Sequence, residues 1–501
     1  MTREQVVEAV DFTEPADPPP PPPPERVHTI ELTLAPEDAA AFGRRRDLAR
    51  AAPSRPVRLI WMDDPESSLA NVGQIIGRTG RLWRVEALEP GHAADWPPCS
   101  PEPILDEALS ADALRQTPPF DATPVAAFDG RRNHYRRGEV SIDLLHGSFR
   151  GLLDNRPACR LRLSGPATDI AATLAALTEF RIGVPRAALA REALAVAKGS
   201  PLPPRHLGGP ALDADTGLSD GLSRIIGHLL DALLYWTDLH QRDARVEAVH
   251  QGRVATRRLR SALSLYKHAL PSAELTEANA ALQHCAATLG AARDWDVFLL
   301  GAGTRVEEAA ATDTRMAALL RAAKRRRQLA HAELSAFLAG PVFRRLELAL
   351  GLAASLRPWE RGMDQETLTI ATADFAASAL ERRSKRVRRR GRSLDTLPLP
   401  ELHEFRKDCK RLRYAAEFFA PAFPPKSVKP FLKKLAALQE ELGTLNDTAV
   451  VSHLMAQLGR AGGGYAAGVV EGWASVAAPP VRRRIMQKWK QFRSESPFWT
   501  V

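Results

Sequence analysis

Cysteine is scarce: four in 501 residues (Cys99, Cys159, Cys285 and Cys409), far apart and with no CxxC or zinc-finger spacing. That excludes a disulfide scaffold and argues against a structural zinc site, as expected of a protein of the reducing cytoplasm. Long apolar runs are missing too. None approaches the roughly 18 to 20 residues that span a bilayer, so no membrane insertion is expected. The opening segment, MTREQVVEAVDF, has no apolar stretch before a small-residue cleavage site, so no secretory leader is expected. Aromatic residues make up only 6% of the chain. A glycine-rich phosphate loop, a Ser-His-Asp order and an HExxH helix are all absent.

What is present is enough apolar sequence for large cores, and charge in the wrong proportion. The chain is 45% hydrophobic and 26% charged, and its length implies at least two domains. The net charge of +10 is unevenly spread. Residues 1–205 hold 25 Lys and Arg against 28 Asp and Glu, a balance of −3, whereas residues 206–501 hold 44 against 31, a balance of +13. A basic half on a neutral protein fits a polyanionic partner: nucleic acid, anionic membrane surface or polymeric phosphate. It also fits a solvated surface kept for solubility.

The chain divides by composition. Residues 1–25 end in seven prolines, Pro18 to Pro24, which favour a stiff polyproline II tether outside the fold. Residues 26–197 read as a sheet-rich α+β domain. VHTIELTL, VRLIWM, GRLWRVEAL, VSIDLL and CRLRLSG are strands between turns, and 167–197 is helical. Residues 198–215 form a Pro/Gly-rich linker, and 494–501 a short tail. Between them, 216–493 carries sustained helical periodicity with breaks at Pro271, Gly340–Pro341, Pro398–Pro400 and Pro421–Pro425. This predicts eight or more helices in an all-α bundle.

Within the helical half lies a repeat. HQGRVATRRLRSA (250–262) aligns with HEFRKDCKRLRYA (403–415) at an offset of 153, with six of thirteen positions identical. The same offset aligns LGAARD (289–294) with LGTLND (442–447). A constant offset across two helices indicates a duplicated helical unit. At 100° per residue, His250, Arg253, Arg257 and Arg260 share an arc of about 80°. His403, Arg406, Lys410 and Arg413 do the same. Opposite them lie Ala255, Leu259, Ala262, Leu263 and Tyr266 in the first copy, and Phe405, Leu412, Ala416 and Phe419 in the second. One such cationic stripe is commonly a solvated face, but two copies, each led by a histidine, point to an anion site.

These motifs, with LGAARDWDV and LQEELGTLNDTAV after them, resemble the CHAD domain, the conserved histidine α-helical domain. The resemblance covers about 216–493. It implies two four-helix bundles related by a pseudo-two-fold, a basic channel between them, binding of inorganic polyphosphate and recruitment to polyphosphate granules. By motif position it assigns His250, Arg253, Arg257, Arg260, His403, Arg406, Lys410 and Arg413 to the ligand, with the adjoining Arg258, Lys407 and Arg411. ERRSKRVRRRGR (381–392) places Arg382, Arg386 and Arg389 on one face that extends the channel. Arginine offers phosphate a planar fork of donors and lysine a mobile point charge. A histidine near phosphates would strengthen binding at lower pH, although packing within the bundle is its alternative role.

In this family CHAD often follows a CYTH domain, a β-tunnel that hydrolyses triphosphates with carboxylate-held metal ions, and residues 27–197 resemble a degenerate version. The expected E-x-E-x-K strand keeps Glu31 but has Thr33 and Ala35 next. Arg160 and Arg162 replace a later acid pair, and Ser141 and Leu145 stand where acids are expected. The expectation is therefore a non-enzymatic polyphosphate binder, without cofactor, metal or catalytic residue, whose first domain is structural or binds a protein partner. A metal-dependent triphosphatase or polyphosphatase using Glu31 and Glu86 is the alternative. Nucleic acid is expected only as a non-specific polyanion, because the stripes have no interleaved aromatics for base stacking.

Overall fold

The computed structural model describes residues 27–80, 82–88, 122–151, 155–202, 210, 212–462, 464–476 and 478–500. At 82, 399, 444–449, 461–462, 474–476 and 478–480 it describes the backbone alone. The proline run Pro18–Pro24, Cys99 and linker residues 203–209 and 211 lie outside the described residues.

The first half is one antiparallel sheet of β1 (Val27–Leu34), β2 (Ala49–Asp63), β3 (Gln74–Thr79), β4 (Leu82–Ala87), β5 (Thr123–Arg137), β6 (Val140–Phe149), β7 (Arg156–Pro166) and β8 (Ile182–Gly183). Its order is β4-β3-β2-β5-β6-β7-β1-β8. It curls into a half-barrel, consistent with a CYTH-like tunnel. The long β5–β6 hairpin turns through Gly138 at φ 56°, a left-handed position that a two-residue hairpin needs. Strand alternation sends Ile30, Leu32, Ile142, Leu161 and Leu163 to one face, under α3 (Ala167–Ala175). Val57, Leu59, Trp61, Phe128 and Phe149 go to the other, against α4 (Leu189–Ala197). The two short helices α1 (Ala39–Phe42) and α2 (Ser68–Asn71) sit in connections.

The second half is helical. It runs α5 (Leu218–Asp243), α6 (Val246–Tyr266), α7 (Ala273–Leu300), α8 (Ala302–Ala310), α9 (Thr314–Ala339) and α10 (Pro341–Leu356). Then come α11 (Gln365–Thr369), α12 (Thr372–Arg390), α13 (Leu399–Phe419), α14 (Pro425–Gln457), α15 (Gly464–Val476) and α16 (Ala478–Arg493). Breaks fall at the predicted proline positions, with Pro341, Pro400 and Pro425 in first turns, where a missing N–H costs nothing. Side chains cap α7 (Ser272, accepting from Leu275 N at 3.3 Å) and α9 (Asp313, accepting from Arg315 N at 2.8 Å).

The repeat offset is reproduced by the fold. Adding 153 to the bounds of α6 gives the bounds of α13. Residues related by the duplication also meet: the rings of Tyr266 and Phe419 lie 6.4 Å apart, and both pack on Phe375. Equivalent residues touch each other only near a two-fold axis, so the axis relating the two units passes between α6 and α13. Both units share one continuous core. The predicted apolar positions lie in it, including Leu259, Tyr266, Phe405, Leu412 and Phe419, each fully buried.

Two features differ from a simple division of the chain. The C-terminal segment after α16 is not a loose tail, because Phe498 and Trp499 are buried against Phe431. The half-barrel is also not a separate body. Leu348, Leu352 and Leu356 of α10 complete its core. Arg186, just before α4, reaches Asp238 of α5 at 2.7 Å and Glu347 of α10 at 3.1 Å.

Candidate functional site

Where α6 and α13 meet beside α14, a groove of about 590 Å³ opens. Its walls are Arg257 from α6, Lys410, Arg413 and Tyr414 from α13, and Lys433, Gln439 and Glu440 from α14. Arg257 and Lys410 are equivalent positions of the repeat, so the groove lies on the pseudo-two-fold. A duplicated cationic stripe placed on such an axis concentrates its charge without any further sequence requirement.

Each cation is held differently. Arg257 donates from Nε to the Tyr414 hydroxyl at 2.6 Å, and its guanidinium lies 5.6 Å from that ring's centroid. Arg413 donates to Glu417 at 2.6 Å and to Gln439 Oε1 at 3.3 Å. Arg253 lies across α7, donating to the Ala286 carbonyl at 3.3 Å. A side chain at Gly290 would overlap its guanidinium, so the arginine would have to shift. The equivalent Gly443 faces open space.

Lys410 has no carboxylate within ion-pair distance among the described residues. Burial, and then the charges of Arg257, Arg406, Arg253 and Arg413, push its ammonium down to about 7. The guanidiniums cannot yield their protons in this range, so the lysine does. His250 is half-buried on the same helix as Arg257, and burial followed by Arg293 lowers its pKa, favouring the neutral ring. Asp294 moves the other way, raised by burial against the pull of Arg253.

The other predicted residues are distributed around this groove. Arg258 is buried, 5.5 Å over the Phe418 ring and 3.9 Å from Glu417, where it ties α6 to α13. Arg260 and Arg406 are half-buried, and His403 is exposed. Lys407 is exposed and paired with Glu404 at 2.7 Å. Arg411 and Arg386 converge with Arg390 on buried Asp408, with the first two at 3.3 and 3.1 Å. Arg382 and Arg389 are exposed on α12. Arg382, Arg386 and Arg411 act together on Arg383, which burial and their charges lower to about 10. This second cationic patch flanks α13 on the side away from Arg413.

Sequence reasoning did not find Tyr414, Lys433 or Gln439. A tyrosine in an amphipathic helix reads as core, and Tyr414 is indeed 9% exposed. The lysines of KSVKPFLKK (426–434) did carry a helical spacing, but only the packing of α14 brings Lys433 to the groove.

In the half-barrel, Glu31 is buried between Arg160 and Arg162, each at 3.3 Å, and Arg160 also reaches Glu192 of α4 at 2.7 Å. Glu86 accepts from Trp61 Nε1 at 2.9 Å and Arg84 Nε at 3.0 Å. Asp143 is engaged by Arg132 and His134 at 2.7 and 2.9 Å. The arginines that replace the expected acids thus neutralise the acid that remains. Among the described residues no group of three His, Cys, Asp or Glu side chains is placed to hold a metal ion.

A duplicated helical module with a cationic groove on its pseudo-axis, joined to an antiparallel half-barrel, is the class of protein these features define. Residues 224–456 match the family model of the CHAD domain, and this helical part of the chain is a CHAD domain. The crystal structure of the CHAD domain from the plant Ricinus communis is 29% identical, covering 57% of this chain and 96% of that one, with a TM-score of 0.50. PptA from Streptomyces chartreusis is 18% identical over 55% of this chain and 100% of that one, with a TM-score of 0.44. Among curated proteins none matches the chain. No described helix is long and apolar enough to cross a membrane.

Proposed function

We propose that the protein binds inorganic polyphosphate in the groove between α6 and α13, without catalysing its turnover, and that this binding brings it to polyphosphate granules. The observation that carries the reading is the convergence of repeat-equivalent Arg257 and Lys410 on one groove, with Arg413 and Lys433 beside them. CHAD domains are linked to polyphosphate binding. A polymer with about one negative charge per phosphorus needs many cations and no base-reading groups, and arginine forks suit its oxygens. The flanking basic side chains His403, Lys407, Arg411, Arg382, Arg386 and Arg389 offer a long chain a path over α13. For a non-catalytic role, the support is that Glu31 and Glu86 are each engaged by arginine.

The test uses the whole protein. Long-chain polyphosphate should bind in a gel shift and outcompete RNA of equal charge at matched salt. Affinity should fall steeply with salt, log K losing about 0.7–0.9 per engaged phosphate for each tenfold rise, by analogy with nucleic acids. Free phosphate should not be released from tripolyphosphate with Mg²⁺ or Mn²⁺. RNA binding as tightly as polyphosphate would overturn the ligand assignment, and metal-dependent release lost in Glu31→Ala would overturn the non-catalytic role.

A further inference from the structure

We propose that Lys410 is a site of covalent acylation by acyl phosphates, with the groove's guanidiniums holding the phosphoryl group of the donor. The proposal deepens the reading of the groove as a phosphate site. Lys410 is an amine in a groove where Arg257 and Arg413 supply permanent cations beside a second amine, Lys433, and the uncharged Tyr414 and Gln439. Among the described residues it has no ion-pair partner, Glu417 being engaged by Arg413. Facing it are Arg253 and Arg257 of α6. Arg406, Arg413 and Tyr414 of its own helix and Lys433 of α14 complete the surroundings. Such a site raises the free-amine fraction of one lysine and gathers the anion that would carry an electrophile to it. These two properties together select acyl phosphates among acyl donors.

The step balances without a further reagent. The Nζ lone pair attacks the carbonyl carbon, and the C–N bond forms as the bond from that carbon to the phosphoryl oxygen breaks. Inorganic phosphate leaves with the electron pair. The excess amine proton passes to solvent. Guanidiniums on the phosphoryl oxygens stabilise the departing charge where it develops. The product amide is neutral, so acylation deletes the cation at the centre of the groove and weakens polyanion binding.

With its ammonium lowered to about 7, Lys410 holds about 600-fold more free amine at pH 7.5 than an ordinary lysine. Lower basicity returns about 30-fold of this, on the scale known for thiolates, leaving a rate advantage of about 20-fold. The experiment incubates the full chain with acetyl phosphate at pH 7.5 and follows each lysine by peptide mass spectrometry. Lys407, exposed on the same helix, is the internal reference, and phenyl acetate is the donor without phosphate. Lys410 should react about 20-fold faster than Lys407 with acetyl phosphate, and the ratio should be smaller with phenyl acetate. Equal rates at the two lysines, or equal ratios for the two donors, would overturn the proposal. Prior addition of long-chain polyphosphate tests the ligand separately. Selective acetylation that polyphosphate does not block upholds the Lys410 site while removing the polyphosphate reading.

Discussion

Raising the pH from 6 to 9 should weaken polyphosphate binding by more than about tenfold, and one side chain should account for most of the loss. In the empty groove the Lys410 ammonium sits at about 7, because burial and four neighbouring guanidiniums disfavour its charge. A bound polyanion offsets the field of the guanidiniums and raises the amine's pKa, although the burial that is the largest cause of its lowering stays. The bound state therefore holds more protons than the free state above about pH 7. Affinity is full below pH 7 and falls about tenfold per pH unit until the bound lysine itself titrates. At pH 8 each binding event should take up a proton fraction of up to about 0.9. Calorimetry in buffers of different ionisation enthalpy measures that uptake directly. Lys410→Arg, whose guanidinium stays charged throughout, should bind with almost no pH dependence over this range. Burial, followed by the charge of Arg293, lowers the His250 pKa in the ligand-free groove, favouring its uncharged ring there. An affinity that is flat from pH 6 to 9, or a slope that survives in Lys410→Arg, would refute this account.

Lys410→Met should stabilise the ligand-free protein below pH 7, because it removes a half-buried charge among like charges; a gain of about 1 kcal/mol would raise the melting midpoint by ~2–4 °C. In the wild type the same group makes empty-state stability rise with pH above about 7, since the unfolded chain then binds more protons. Gly290→Ala should displace the Arg253 guanidinium and cost affinity, whereas Gly443→Ala, with open space, should add about 1 kcal/mol of stability and leave titrations unchanged. Arg257→Glu should reduce binding far more than Arg483→Glu at an exposed position of α16, with unchanged circular dichroism; equal losses would mean diffuse surface attraction. Glu31→Gln should destabilise the half-barrel by about 3 kcal/mol in denaturant unfolding, because two buried arginines lose their shared counter-charge.

The repeat made the helical half legible before any coordinates. HQGRVATRRLRSA and HEFRKDCKRLRYA gave the offset, the apolar faces and the paired stripes, because helical periodicity is a local property that survives duplication. Strands were harder to read. β5, fifteen residues long, is not legible as a strand because the polar run 129–134 separates its apolar start at Ala126 and Phe128 from Tyr135. The stripes themselves were read too uniformly. Arg258 and Arg257 are neighbours in sequence, yet one is buried against Phe418 and Glu417 while the other lines the groove.

The sequence by itself determined where helices start and stop, which faces are apolar, that one unit is copied, and that its acid-bearing partner domain has exchanged carboxylates for arginines. The first three follow from periodicity and proline placement, which act within a few residues; that arginines stand where acids are expected rests on the resemblance to a tunnel domain. Only the tertiary structure decided which cations meet. The crossing of α6 and α13 brings Arg257 to Lys410 across 153 residues, α14 adds Lys433, and Tyr414 fixes the arginine. The proton affinity of Lys410 belongs to that assembly as well, since it is set by desolvation and by the summed field of neighbours far away in the chain.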